Sequence, residues 1–118
     1  MSDYHEPPEE LSEETRNYTR ALNSLKEELE AIDWYQHRID TSDDEPLKKI
    51  LAHNRDEEME HACMVLEWMR RHMPGWDEKL RTYLFTEGEI TELESETEEA
   101  AEASPDSGTE SLGIGKPE

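Results

Sequence analysis

Two residues near the middle of the sequence, Glu58 and His61, place a carboxylate and an imidazole at a spacing that metal sites use. On a helical wheel at roughly 100° per residue, both fall near the middle of one apolar face. That face is formed by Leu47, Ile50, Leu51, Val65 and Met69. An unpaired carboxylate in a buried position costs several kcal/mol, so Glu58 needs a partner or a metal ion. The Glu-x-x-His spacing is the one that di-iron carboxylate bundles use.

A complete site of this kind needs two such pairs and a Glu from each of two further helices. This chain offers one pair and one companion, Glu28, at the edge of the apolar seam of an earlier helix. We therefore expect each chain to carry half of a metal site that two chains complete. The full site would hold four carboxylates and two imidazoles, whose negative charge matches two ferrous ions. Such ligands favour iron or manganese, and the absence of thiolate ligands argues against structural zinc.

A second interpretation of the same three residues is a polar layer that only fixes helix register, as in some coiled coils. The central position of Glu58 and His61 on an apolar face, with Glu28 on the facing helix, favours the metal site. Cys63 points about 180° away from that face on the wheel, so we exclude it as a ligand.

Two other clusters at helical spacing allow a weaker interpretation as cation sites. The cluster on the side of the second helix consists of His53, Glu57 and Glu60. Most such clusters are solvated faces, and a peripheral cation site is the alternative. The cluster opposite the seam of the first helix consists of Glu27, Glu30 and Trp34. A Trp beside two carboxylates on that face indicates a second contact surface or a metal-access patch.

Helices are the only regular elements that the sequence predicts. The first runs from about Glu13 to about Arg38, with Ser12 as its N-cap. Its coiled-coil-like seam consists of Tyr18, Leu22, Leu25, Leu29 and Ile32, and Tyr35 follows on the edge that carries Glu28. The polar loop at 40–45 is short, so the next helix should form an antiparallel hairpin with the first.

The second helix runs from about Pro46 to about His72, since proline suits a first turn and the pair Pro74-Gly75 ends a helix. A short third helix is predicted from about Trp76 to Thr86, closed by Gly88. We divide the chain into a flexible arm at 1–11, a helical domain at 12–90, a disordered acidic linker at 91–110 and a C-terminal peptide at 111–118.

The charge balance narrows the classes of partner. The 118 residues carry a formal net charge of -20 and 32% hydrophobic residues. Such an acidic chain is expected to bind neither nucleic acid, which needs basic surface, nor anionic membranes, and to attract cations. So few apolar residues build a thin core, for which oligomerisation is a remedy. The N-terminus lacks the pattern of a signal peptide, so we expect a cytoplasmic protein.

The combined motifs resemble those of the encapsulated ferritins, which are encapsulin-associated ferritin-like proteins. The matching stretches are Glu27–Ala31 with Asp33–Tyr35, Leu51–Glu58 with Glu60–Ala62, and Leu80–Gly88. The resemblance implies a half-ferritin helical domain, a dimer that completes a ferritin-like four-helix bundle, and a ring of five such dimers. It also implies that the protein makes no storage cage and works inside an encapsulin nanocompartment.

The resemblance implies roles for individual residues as well. Glu28, Glu58 and His61 of both chains would form a ferroxidase centre, with Tyr35 nearby. The metal-access positions would be Glu27, Glu30 and Trp34, and the peripheral cation site would be His53, Glu57 and Glu60. The segment Ser111–Gly115 looks like a cargo-loading peptide that docks on the shell, here followed by Lys116-Pro117-Glu118.

We therefore interpret the chain as a ferroxidase that oxidises Fe(II) to Fe(III) with dioxygen for iron storage inside the shell. Two alternatives stay open. A rubrerythrin-like peroxide reductase would use the same di-iron scaffold with hydrogen peroxide. A non-enzymatic acidic adaptor would bind metal ions and dimerise without oxidising iron.

Overall fold

Two long helices dominate the computed structural model, which describes residues 4–95. Helix α1 spans Glu13–Thr41, helix α2 spans Glu45–His72 and the short helix α3 spans Trp76–Tyr83. Single 3-10 turns occur at Pro8–Glu10 and at Ile90–Glu92. Residues 4–95 contain no strand, and α1 packs against α2. The prediction of an all-α hairpin with a short C-terminal helix is confirmed.

The chain divides into two compact units between His72 and Met73. Residues 1–3 and 96–118 are outside the described part. Most of the predicted acidic linker at 91–110 therefore lies outside the described residues, as does the whole of the predicted cargo-loading peptide.

Side-chain caps set the ends of the hairpin helices. The Ser12 hydroxyl accepts a hydrogen bond from the backbone N–H of Thr15 at 3.0 Å, which confirms Ser12 as the N-cap of α1. Helix α1 continues to Thr41 instead of ending at Arg38, and the Ser42 N–H donates to the Arg38 carbonyl at 3.0 Å. The interhelix loop is therefore shorter than predicted.

Helix α2 begins one residue earlier than predicted, because Asp44 caps it. The Asp44 carboxylate accepts a hydrogen bond from the N–H of Leu47 at 3.4 Å, and its carbonyl accepts from Lys48 at 2.9 Å. The predicted end at His72 is confirmed. Basic residues fill the last turn, where they favour the negative end of the helix dipole.

The prediction that α3 extends to Thr86 and is closed by Gly88 is wrong. Helix α3 ends at Tyr83, after which Leu84 is extended and Phe85 has a left-handed φ of 59°. The Thr86 hydroxyl donates to the Tyr83 carbonyl at 2.8 Å. This bond satisfies one of the last carbonyls of the helix, so the chain turns before Gly88.

The core of the described part is thin, as the low apolar fraction predicted. Three hydrophobic residues are buried between positions 4 and 95, namely Ala62, Met69 and Leu93. No helix in that range is long and apolar enough to cross a membrane.

The helical wheel overstated the core of a single chain. Four residues that it placed on the apolar seam or face are exposed in the single chain, namely Leu22, Leu29, Leu47 and Ile50. A helical wheel gives only the direction of a side chain around the helix axis. Burial also requires a neighbouring element at the same position along that axis. A single hairpin supplies one neighbour per helix, so much of each apolar stripe stays uncovered.

Candidate metal centre

Two cross-helix hydrogen bonds fix how α1 and α2 are aligned. The Tyr18 hydroxyl donates to the His72 carbonyl at 3.0 Å near the open end of the hairpin. The Arg55 guanidinium donates to the Gln36 side-chain carbonyl at 2.8 Å nearer the loop. In both pairs an early residue of one helix meets a late residue of the other, as antiparallel helices require. This alignment places Glu28 opposite the Glu-x-x-His pair.

The predicted ligands Glu28, Glu58 and His61 come together between the two helices. One ligand atom of each residue lies within 4.8 Å of those of the other two. The His61 Nδ1 is 3.6 Å from a Glu28 carboxylate oxygen and 3.4 Å from a Glu58 carboxylate oxygen. The carboxylate side chains are 22% and 25% exposed, and that of His61 is 47% exposed. The cluster is thus partly buried by its own chain and open on one side.

The Glu58 carboxyl raises the pKa of Glu28, chiefly through a hydrogen bond between the two carboxyl groups that requires a proton. Partial burial and the like charge of Glu58 raise that pKa further, whereas His61 acts in the opposite direction. Two carboxylates this close repel each other unless a proton or a cation lies between them. The arrangement therefore attracts cations.

The donor set fits a hard or borderline divalent metal. It offers carboxylate oxygens and one imidazole nitrogen, which suit iron and manganese. Cys63 is exposed and does not belong to the cluster, as the wheel predicted. An ion held by these three residues would have much of its coordination sphere unfilled, and the open side of the cluster is where further ligands would bind.

Tyr35 lies two helical turns beyond Glu28 on the same line of α1 and is partly buried. The Arg38 guanidinium carbon lies 5.4 Å from the centroid of the Tyr35 ring, a cation–π contact. This contact orients the phenol. A role for Tyr35 at the centre stays a prediction.

The two weaker clusters are on the surface. The His53 Nε2 lies 3.2 Å from a Glu57 carboxylate oxygen, with side chains 70% and 55% exposed, and Glu60 is exposed. Of the other cluster, Glu27 and Glu30 are exposed and Trp34 is 51% exposed. Between residues 4 and 95, the ligand atoms of three such side chains come within 4.8 Å only at Glu28, Glu58 and His61. Both surface clusters stay predictions.

Sequence reasoning missed the Arg55–Gln36 hydrogen bond. Arg55 precedes Glu58 by one turn and its side chain is 25% exposed, so the bond lies beside the cluster. The helical period places Arg55 near the ligand face. Only the alignment of the two helices identifies Gln36 as its acceptor, and no spacing within one helix gives that alignment.

Comparisons with known proteins agree on one family. A family model described as EncFtn-like matches residues 3–87. A Thermotoga maritima protein named "Ferritin-like protein" is 64% identical over 99 residues, which cover 84% of this chain and 87% of that protein. A Rhodospirillum rubrum protein named "Encapsulated ferritin-like protein" is 55% identical over 118 residues, covering 94% of this chain and 84% of that protein.

A solved structure also matches the fold. The crystal structure of protein ne0167 from Nitrosomonas europaea superimposes with a TM-score of 0.73 at 56% sequence identity. The match covers 75% of this chain and 98% of that chain. The helical hairpin is therefore shared with a protein whose structure was determined by experiment.

Proposed function

Because this chain belongs to the EncFtn-like family, we propose that it oxidises Fe(II) to Fe(III), with dioxygen as electron acceptor, at a di-iron centre shared by two copies. The observation that carries the proposal is the cluster of Glu28, Glu58 and His61, whose ligand atoms lie within 4.8 Å of one another. Relatives named as ferritin-like and encapsulated ferritin-like proteins support iron as the metal.

The cluster has the composition of half a di-iron site. A complete site takes two Glu-x-x-His pairs and a Glu from each of two other helices, and one hairpin supplies half of that set. A second copy, related by a two-fold axis through the open side of the cluster, supplies the other half. The four carboxylates then carry the negative charge that balances two Fe(II) ions.

Each ligand has a distinct contribution to the reaction. Each Fe(II) that becomes Fe(III) gives up one electron, and dioxygen accepts those electrons. Glu28 and Glu58 hold negative charge at the site, which stabilises the more highly charged ferric product over ferrous substrate. His61 completes the ligand set from the more exposed side of the cluster. We also include Tyr35 in the proposed site because it follows Glu28 along the same line of α1.

The acidic surface serves substrate delivery in this proposal. A net charge of -20 raises the local concentration of Fe(II), an effect that added salt weakens. The exposed metal-access positions Glu27, Glu30 and Trp34 would guide ions toward the centre. His53, Glu57 and Glu60 would hold a divalent cation at the periphery.

Oxygen uptake after addition of Fe(II) to metal-free protein tests the proposal. The Glu58→Ala variant should lose the fast phase, with at least a 100-fold lower rate, since ligand loss exceeds the roughly 10- to 100-fold effect of outer-shell changes. Glu78→Gln, an exposed change in α3, is the matched control and should keep the wild-type rate.

The possible outcomes separate three functions. A fast wild-type phase that consumes about one iron per chain and is absent in Glu58→Ala supports the shared ferroxidase centre. Equal slow rates in all three proteins mean that the cluster fixes helix register, as in a non-enzymatic adaptor. Faster turnover of bound Fe(II) with hydrogen peroxide than with dioxygen assigns the scaffold to a peroxide reductase.

We further propose that the protein is cargo of an encapsulin shell and works inside that cytoplasmic compartment. The name of the Rhodospirillum rubrum relative supports encapsulation. The segment Ser111–Gly115 supplies two aliphatic side chains among glycines after an acidic stretch, which suits a tethered docking peptide. Inside the shell the protein would assemble as a ring of five dimers, and the oxidised iron would be stored as mineral in the lumen.

A further inference from the structure

An apolar groove of about 360 Å³ lies between α1 and α2. It is lined by Asn17, Arg20, Ala21, Ser24, Met64, Val65 and Trp68. The Trp68 wall is held in place from two sides. Its ring stacks on His72 with centroids 4.5 Å apart and meets the Tyr18 ring edge-on at 6.5 Å. The groove is therefore formed before any partner arrives, which lowers the entropy cost of binding.

The groove continues the surface that carries the metal cluster. Ser24 precedes Glu28 by four residues, and Val65 follows His61 by four, so each lies about one helical turn from a ligand. On both helices the groove therefore lies on the same side of the cluster, toward the open end of the hairpin. A second copy that completes the metal site necessarily approaches this groove.

Helix α2 presents an uncovered aliphatic side chain at the opposite end of the same surface. Ile50 is 58% exposed, and its neighbour Leu47 is 43% exposed. Ile50 and Trp68 are separated by eighteen residues, which is about five full helical turns, so they leave α2 in the same direction. His61 lies between them. One face therefore carries a projecting apolar side chain, a half metal site and an apolar groove, in that order.

We propose that Ile50 of one copy packs into this groove of a second copy, and that the same contact occurs twice around the two-fold axis through the metal centre. The inference deepens the proposed function and rests on it. Ile50 lies eight residues before Glu58, and Arg20 lies eight residues before Glu28, each about 12 Å along its helix at 1.5 Å per residue. A two-fold axis that passes through the cluster at right angles to the helices brings Ile50 of one copy level with Arg20 and Trp68 of the other.

This symmetry explains how a strongly acidic chain recognises itself. In a two-fold interface every contact between two different positions is made twice, so one projection and one groove per chain are sufficient. Ile50 in the groove excludes water beside the cluster, which strengthens the binding of cations by the carboxylates. Apolar docking and metal binding therefore stabilise the same dimer.

Cross-linking of the full-length protein tests the contact. In a Cys63→Ser background, Arg20→Cys and Ile50→Cys are combined and treated with a short bis-maleimide in the presence of Fe(II) without oxygen. Positions 20 and 50 of one chain lie at opposite ends of the surface, about 24 Å apart along the helices, so a bridge within one chain is excluded. We expect covalent dimers from the double variant and from neither single variant.

Association measurements give an independent readout. Ile50→Asn should weaken iron-dependent dimerisation at least about tenfold, since a buried aliphatic side chain is worth that much. Met59→Asn is the matched control, because Met59 is 44% exposed on α2 and points away from Ile50, two and a half turns along. Sedimentation should show wild-type dimerisation for Met59→Asn. Equal weakening by both variants would overturn the proposal.

The failure of this inference is distinguishable from failure of the proposed function. Oxidation that depends on Glu58, without a cross-link between positions 20 and 50, keeps the ferroxidase centre and overturns the docking contact. Cross-linking without oxidation keeps the contact and overturns the enzyme. Cross-links of equal yield in the single variants would mean a different packing of the two copies and would also overturn the proposal.

Discussion

Among the individual side chains of α2, Glu67 shows the largest effect of neighbouring charge. Its carboxylate accepts hydrogen bonds from Arg70 at 2.8 and 2.9 Å and from Arg71 at 2.6 Å. These guanidinium groups lower the pKa of Glu67 from 4.5 to about 2. Because the folded-state pKa is lowered, the stabilisation is present above pH 4.5 and is lost as the pH falls through about 2.

Replacing Glu67 with Gln should therefore lower the stability of the protein in a pH-dependent way. We expect Glu67→Gln to unfold at a lower denaturant concentration than wild type at pH 6, and the difference to shrink between pH 4.5 and pH 2. Circular dichroism at one fixed protein concentration measures both curves, since the proposed dimerisation would also contribute to stability. Glu78→Gln is the control variant, because it measures the effect on stability of removing one exposed negative charge. If the difference in unfolding midpoint between wild type and Glu67→Gln stayed constant across this pH range, the lowered pKa of Glu67 would be contradicted.

At the scale of whole helices, the two cross-helix hydrogen bonds stabilise the alignment of α1 and α2 independently of each other. Tyr18 and Gln36 are eighteen residues apart on α1, about 27 Å at 1.5 Å per residue. Tyr18→Phe and Gln36→Ala should each cost about 0.5–1.5 kcal/mol. The double variant should cost the sum, because sites this far apart are additive. Denaturant unfolding of the wild type, the two single variants and the double variant measures these free energies. A decrease in the double variant well above the sum of the single decreases would mean that the helices slip past each other.

The elements differ in how well the sequence predicted them. The ends at Ser12 and His72 were predictable because capping and helix-ending residues act locally. The end of α3 was not, because the left-handed turn at Phe85 has no Gly or Asn to mark it. The proximity of Glu28, Glu58 and His61 was predictable from spacing and polarity. The hydrogen bond from Arg55 to Gln36 beside them was not predictable, because it depends on how the two helices align.

For the molecule as a whole, the described hairpin and the C-terminal tail have different tasks in our proposal. The helices would form the metal centre, and the segment Ser111–Gly115 would carry the protein into the shell. The acidic residues between them carry much of the net charge of -20.

Deletion of 111–118 separates these tasks. The truncated protein should oxidise Fe(II) in solution at the wild-type rate, since the deletion leaves the proposed ligands intact. It should be absent from purified shells when expressed together with an encapsulin shell protein. Full-length Glu58→Ala is the reciprocal control and should load normally without oxidising iron. Loading of the truncated protein at wild-type levels would refute the tail assignment.

The thin core of the described part has a consequence for the life of a newly made chain. Ala62, Met69 and Leu93 are its buried hydrophobic residues between positions 4 and 95, and a single chain leaves Leu22, Leu29, Leu47 and Ile50 exposed. Chaperones and proteases act on chains in that condition. In the proposed dimer a second copy would cover these side chains, so a chain that meets no second copy would stay a target for protein quality control.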